Sequence, residues 1–525
     1  MRRLCIERQQ SGYIYRGRLL RVNAKERFEM EVNLMCLIFT CFVGGYAFIF
    51  GFLRKINEWL YVRKLGEKQY SLPPGDMGWP LLGKMLSFLK AFKFGDPDSF
   101  MSSFVTRYGG MGMYRTVLFG KPSIIVATPE TCRRVLADEV NFKLNYPRTT
   151  QELIGKKSFH DMSNAAHKHF RRLTAAKING SESLSMYIKH IEEIMIGSLE
   201  EWTKMDCPIE FYEEMKKATF KVILPIFLGS VTDDSFISRT KNLFGEINKG
   251  FNSLAINLPG FKFHRAIKAK KELEKIIKEV VDTRKSMNEH DACTANKSML
   301  DLLMEAEDED GQALSKDSII DILHMYLLAG FDSVALASLW MLLYFYENPD
   351  TLQKAKEEQI QILKRREPMQ KGLTYQEIKQ MEYLAKAIDE MLRRVNFGFS
   401  LFREAKEDTT INGYLIPKGW NVLICLRGVH MDPANYSEPE KFNPSRWDNY
   451  KKKGGAFIPL GAGSRFCPGS DLAKLEVSIF LHYFLLNYEV ARTNPECPIN
   501  YFPSPKPSDN FKAKFKRLSS DSTDV

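Results

Sequence analysis

Apolar and polar positions follow three different rhythms along this chain. From Leu34 to Leu53 no charged residue occurs in twenty consecutive, mostly apolar positions. As a helix that run is about 30 Å long, the thickness of a bilayer's hydrocarbon core. Arg54 and Lys55 follow at once, then Arg63, Lys64 and Lys68, which assigns the C-terminal side to the cytosol. A signal peptide would have a shorter apolar run and a small-residue cleavage site, so the pattern predicts a membrane anchor. Between about 160 and 400 the apolar positions recur with helical period. The longest such stretch, Asp317 to Tyr346, has no proline and is closed off by Pro349. Asp321, His324 and Asp332 interrupt its apolar face, so it is predicted to cross the protein interior, not a second bilayer. Extended patterns around Ile124-Ile125-Val126 and Gly413–Trp420 predict short strands with turns. The fold class is therefore mainly α with a minor β region.

The same pattern divides the chain. Residues 1–29 carry eight basic side chains against three acidic ones and show no clear period. Met30 opens Met-Glu-Val-Asn-Leu directly before the apolar run, so 1–29 reads as an upstream extension from an alternative start. Residues 30–54 form the transmembrane anchor. Residues 55–80 form a linker that ends in Leu72-Pro73-Pro74-Gly75 and Gly78-Trp79-Pro80, a stiff break where a helix cannot continue. Residues 81–525 form the catalytic body, in which the acidic run Glu305–Asp310 reads as an exposed loop.

Composition narrows the function. With 44% hydrophobic and 26% charged residues in 525, the chain has ample material for a large core and a cofactor. The net charge is +11, but nearly half sits in residues 1–29 and the rest lacks aromatic interleaving, so nucleic acid is not an expected partner. Nine cysteines are scattered without any Cys-x-x-Cys pair, which excludes a disulfide framework or structural zinc and points to a reducing compartment.

One cysteine stands apart. In Leu460-Gly461-Ala462-Gly463-Ser464-Arg465-Phe466-Cys467-Pro468-Gly469, a glycine-rich loop delivers Cys467 just before an amphipathic helix. Backbone amides, the helix N-terminus and Arg465 are all expected to favour a thiolate there, and a thiolate is a soft metal ligand. The loop resembles the haem-binding loop of the cytochrome P-450 family, Phe-x-x-Gly-x-Arg-x-Cys-x-Gly. Gly463, Arg465, Cys467 and Gly469 match, and Leu460 stands where the family has phenylalanine.

Three further motifs occur in the family's order. Glu390-x-x-Arg393, with Arg446 downstream, resembles the buried Glu-Arg-Arg network behind the haem loop. Ala329-Gly330-Phe331-Asp332-Ser333, midway along the long helix, resembles the acid–alcohol pair that relays protons during dioxygen activation, although related plant enzymes usually carry His-Glu at Phe331-Asp332. His167-x-x-x-Arg171 resembles the helix that holds a haem propionate, usually Trp-x-x-x-Arg, and Arg403 and Arg465 match further propionate contacts.

The resemblance implies a cytochrome P-450 fold, haem b with Cys467 as its axial ligand, and dioxygen as oxidant. It implies catalytic roles for Asp332 and Ser333, cofactor-binding roles for His167, Arg171, Arg403 and Arg465, and structural roles for Glu390, Arg393 and Arg446. Electrons would come from NADPH through the membrane-bound cytochrome P-450 reductase, with Lys451-Lys452-Lys453 as a candidate docking face. Pro259-Gly260-Phe261-Lys262-Phe263 is a candidate membrane-dipping loop, or else a packed helix connection. The location implied is the endoplasmic reticulum membrane, single-pass with a cytosolic catalytic domain, or the plastid outer envelope. Leu72–Gly83, Gly155–His160, Phe402–Lys406 and Asn494–Pro498 resemble the ent-kaurenoic acid oxidases of plants, which make gibberellin A-twelve from a diterpenoid acid by successive oxidations. Their cousins, the β-amyrin 11-oxidases, oxidise a triterpene. The divergent stretch Arg394–Ser400 warns of altered specificity.

Overall fold

A computed structural model describes residues 3–155, 162–229, 234–251, 253–288, 297–307, 311–448, 450, 454–502 and 504–518. The lysine run 451–453 lies outside the described residues, as does most of Gly155–His160.

The anchor helix is longer than the apolar run that predicts it, extending from Arg3 to Asn57. Residues 3–29 are therefore helical although their sequence lacks a helical period. Extending an existing helix avoids the unfavourable nucleus, and Arg, Glu, Gln and Leu all propagate one. Of the two helices among the described residues long and apolar enough to cross a membrane, the N-terminal one buries none of its apolar window in the protein, whereas the one at Lys316–Glu347 buries 78%. That contrast marks the second as a core helix and leaves the apolar face of the first uncovered by the protein. At the C-terminal end of this first helix, Asn57 Nδ2 donates to the carbonyls of Met77 and Trp79 at 3.0 and 2.5 Å, and Phe50 meets the Trp79 ring edge-on at 4.3 Å. The proline-rich stretch is thus tied to the base of the anchor, and Gly75 bridges to Arg115 of the body.

The long helix spans Lys316–Glu347 and is the centre of the largest core. Ser315 caps its start by accepting from the Ser318 amide, and Pro349 does not merely end it but opens the next helix, Pro349–Arg365, where a missing N–H costs nothing. Against it pack the helices Phe211–Leu228, Lys262–Asn288, Glu382–Val395 and Ser470–Asn487.

The β region is a five-stranded sheet ordered Met113–Leu118, Lys121–Val126, Asn421–Cys425, Ser400–Ala405, Phe142–Leu144. Lys121–Val126 runs parallel to Asn421–Cys425, and the other pairings are antiparallel. The second stretch of strand pattern forms a small hairpin, Thr409–Ile411 with Tyr414–Ile416, turned at Asn412-Gly413, both at positive φ. In the candidate membrane loop the two phenylalanines part: Phe263 is in the core, while Phe261, Leu254 and Leu258 are exposed.

Candidate functional site

Cys467 follows a short 3-10 turn, Gly463–Arg465, and precedes the helix Ser470–Asn487. Its amide donates to the Leu460 carbonyl at 3.0 Å, closing the loop on itself. Gly463 is required by the backbone: its φ is +71°, and a Cβ would lie 2.8 Å from the Leu136 carbonyl oxygen. A cavity of about 180 Å³ brings Cys467 opposite Ala329, Gly330, Ser333 and Val334 of the long helix, with Leu460, Phe397 and Tyr326 along its walls. Burial pushes the Cys467 thiol up, against the pull of the Gly469 amide and the Arg171 guanidinium. The cation acting on this sulfur is thus Arg171, not the Arg465 that adjacency in sequence suggests.

Asp332 and Ser333 are neighbours in sequence but not in surroundings. Ser333 lines the cavity with Cys467, its Oγ donating to the Ala329 carbonyl at 2.7 Å. Asp332 lines a second, polar cavity with Lys216, Lys241, Ser504 and Lys506. There the Tyr212 hydroxyl donates to Asp332 Oδ1 at 2.7 Å, with the Lys506 and Lys216 ammonium groups over the tyrosine ring at 4.3 and 4.6 Å from its centre. The ~100° turn between consecutive helical residues produces this split. Phe331 points into the core, packed on Phe220 and Phe244 at 5.0 and 5.4 Å.

The sequence-predicted cations do converge. Arg171 donates to the carbonyls of Ser464 (3.1 Å) and Phe466, so it is fastened to the cysteine loop. Arg465 donates to Asn164 Oδ1 at 3.2 Å, and Arg403 is buried in its strand. Burial, opposed by Glu139 and reinforced by Arg403 and Arg171, brings Arg465 down to about 10. His167 falls to about 4 from burial and from repulsion by Arg465 and Arg171. Like charges held this close call for an anion.

Behind the loop, Glu390 and Arg393 are fully buried and pair through two hydrogen bonds of 2.9 Å. Arg446 Nε adds a third at 3.2 Å, and Arg393 also donates to the carbonyls of His430 and Pro439 at 2.7 Å. His430 is a connection that sequence reasoning missed. Its Nε2 accepts from the Ile458 amide at 3.1 Å and its Nδ1 faces Asn396 Oδ1 at 2.5 Å. That fixes the neutral tautomer with the proton on Nδ1. Asn396, in the left-handed conformation, caps the Glu390–Arg393 helix. The buried salt bridge therefore reaches the cysteine loop through His430 and Ile458. A lone histidine in sequence carries no signal of this, because its partners are tertiary.

A family model for cytochrome P450 matches residues 73–515. The chain belongs to the cytochrome P450 family. It is 51% identical to a 7,8-epoxymelianol synthase of Ailanthus altissima over 93% of this chain and 98% of that one. It is 48% identical to an ent-kaurenoic acid oxidase 2 of Arabidopsis thaliana over 93% of this chain and 99% of the relative. Among solved structures, the retinoic acid-bound cyanobacterial CYP120A1 superposes with a TM-score of 0.76 at 26% identity, covering 85% of this chain and 99% of that one. As a P450 monooxygenase the protein is an oxidoreductase that uses haem, dioxygen and a redox partner, on the α-rich fold its helical periodicity predicts.

The residues present fit haem. The cluster of Arg171, Arg403, Arg465 and His167 suits a group with two carboxylates. Gly469 lines the cavity and a Cβ there would meet no chain atom within 4 Å, so what a side chain would fill is the cavity itself. The P450 departures from the family motifs are local: Leu460 still lines the cavity and its carbonyl still holds the Cys467 amide, while Phe331 is absorbed by the core.

Proposed function

We propose that this chain is a membrane-anchored monooxygenase of a polycyclic terpenoid, with Cys467 as the axial thiolate of haem b. The observation that carries the reading is the cavity with Cys467 on one wall and Gly330 and Ser333 on the other. Held there by Cys467, the group would supply dioxygen activation, which a thiolate ligand favours. One oxygen atom enters a C–H bond and the other leaves as water, which takes two electrons and two protons. The chain's own residues do the rest. Arg171, Arg403, Arg465 and His167 would hold the propionates; the Ser333 hydroxyl, which rests on the Ala329 carbonyl, would turn into the cavity to donate a proton, and Asp332, held by Tyr212 on the polar side of the same helix, would replenish it. Glu390, Arg393 and Arg446 keep the loop in register.

The apolar helix at Leu34–Leu53 supports an anchor in the endoplasmic reticulum, with residues 81–525 as the cytosolic catalytic domain, 55–80 as linker and 1–29 as a basic extension; the plastid outer envelope is a second site for the same topology. NADPH–cytochrome P-450 reductase is the electron donor such an anchor favours. For the substrate, likeness to the 7,8-epoxymelianol synthase supports a triterpenoid, and the cavity position of Phe397, within the divergent stretch, supports a specificity of its own. The second reading is ent-kaurenoic acid oxidation to gibberellin A-twelve, supported by the 48% identical relative. Microsomes holding this chain and a plant reductase, given melianol, β-amyrin or ent-kaurenoic acid and analysed by mass spectrometry, test both. An oxygenated triterpenoid upholds the first, gibberellin A-twelve upholds the second, and NADPH consumption without any product contradicts the enzymatic reading.

A further inference from the structure

A cleft of about 880 Å³ opens where the anchor meets the body, between the last turns of the anchor helix and Arg115 of the strand Met113–Leu118. Its apolar wall includes Phe52, Ile56, Val62 and Leu72, and three cations, Lys55, Arg63 and Arg115, line it against a single acid, Glu58. Glu58 lies 3.7 Å from Arg115, so at most one of the three charges is offset. Arg115 is held by a 3.1 Å hydrogen bond from Nη1 to the Pro73 carbonyl, while its buried Nε has no hydrogen-bond partner among the described residues. The guanidinium is thus fixed in place, its Nη1 on Pro73 and its Nη2 toward Glu58.

Position decides what fits. Lys55 lies two residues beyond Leu53, the end of the apolar run, so the cleft sits at headgroup depth in the cytosolic leaflet. Trp59 and Tyr70 line it while 59% and 84% exposed, as amphipathic rings do at that depth. Leu81, 79% exposed on the turn next to Trp79, adds an apolar tip beside the anchor.

We propose that this cleft binds one anionic phospholipid of the cytosolic leaflet, its headgroup held by Lys55, Arg63 and Arg115 and its acyl chains directed toward Phe52 and the apolar run. The assignment rests on the membrane reading above. Charge complementarity commits it to a lipid over a protein helix: three cations meet one acid on a wall that is otherwise apolar or aromatic except for Gln69.

The full-length chain, reconstituted in bilayers of phosphatidylcholine with a minority of phosphatidylserine and then extracted in mild detergent, is analysed for co-purifying lipid by mass spectrometry. Phosphatidylserine should be enriched over its bulk share. Lys55→Gln and Arg63→Gln should each reduce the enrichment about five-fold, whereas Lys64→Gln, next in sequence but outside the cleft lining, should leave it intact. Near-ultraviolet circular dichroism confirms that each variant is folded. No enrichment in the membrane-held wild type, or an equal loss in Lys64→Gln, overturns the site. Release of the chain from membranes by alkaline carbonate overturns the membrane reading instead.

Discussion

Tyr212 donates its hydroxyl hydrogen to Asp332 Oδ1 at 2.7 Å, in a lysine-bearing cavity separate from the one that Ser333 shares with Cys467. The acid of the acid–alcohol pair therefore faces polar surroundings and the alcohol faces the thiol. The phenol is pushed up by burial and by the charge of Asp332, so it remains a donor across the whole working pH range. Asp332→Ala should lower product formation by about 100-fold, the lower end of what a positioned acid contributes. Tyr212→Phe should lower it about ten-fold, the equivalent of one hydrogen bond to a charged group. In both, NADPH should go to peroxide rather than product, while the reduced carbon monoxide spectrum stays normal. Unchanged product per NADPH in both variants would remove Asp332 from the proton route.

The Glu390–Arg393 pair has no exposed surface, so breaking one partner leaves the other charge buried. Arg393→Ala should cost about 3–5 kcal/mol of stability and strand the carbonyls of His430 and Pro439. The expected readout is a lowered urea midpoint together with loss of haem-loaded protein. A variant with wild-type midpoint would show that Ile458 and the cysteine loop are held without this network.

His324 and His430 are fully buried and brought down to about 3, by burial and, respectively, by the charges of Lys270 and Arg393. Their depressed values mean that the unfolded chain binds protons first. Stability is full above pH about 6.5 and is lost as pH falls from there toward about 3. Each histidine should contribute about 1.4 kcal/mol per pH unit across that window. Urea midpoints measured between neutral and acidic pH check the slope, and His324→Gln should flatten it by one histidine's share. A midpoint independent of pH over this window would contradict the burial argument.

Legibility in the sequence followed the range of the interactions. The N-terminal apolar helix, the long helix and the cysteine loop are local patterns, readable from Leu34–Leu53, Asp317–Tyr346 and Leu460–Gly469, and the long helix is found at Lys316–Glu347. Glu390 and Arg393 were readable from spacing as a pair, and as buried only through the family resemblance, because burial comes from Pro439, His430 and Arg446 far along the chain. The sheet was half legible: Ile124–Val126 looks like a strand, but its parallel partner Val422–Ile424 is nearly three hundred residues away. His430 and Tyr212 were invisible for the same reason, each gaining its role only from a tertiary partner. The divergence of Asp332 from Ser333 follows from helical geometry, yet which one meets the thiol depends on how the long helix is rotated in the core.

The central claim is that Cys467 is the sulfur that holds the haem iron. The most direct test is the difference spectrum of the reduced, carbon monoxide-treated membrane preparation, for wild type and for Cys467→Ser. Wild type should give the band of a thiolate-ligated haem, and Cys467→Ser should lose that band while the membrane-bound polypeptide is still present. A thiolate band that survives in Cys467→Ser would contradict the assignment and move the ligand to another cysteine.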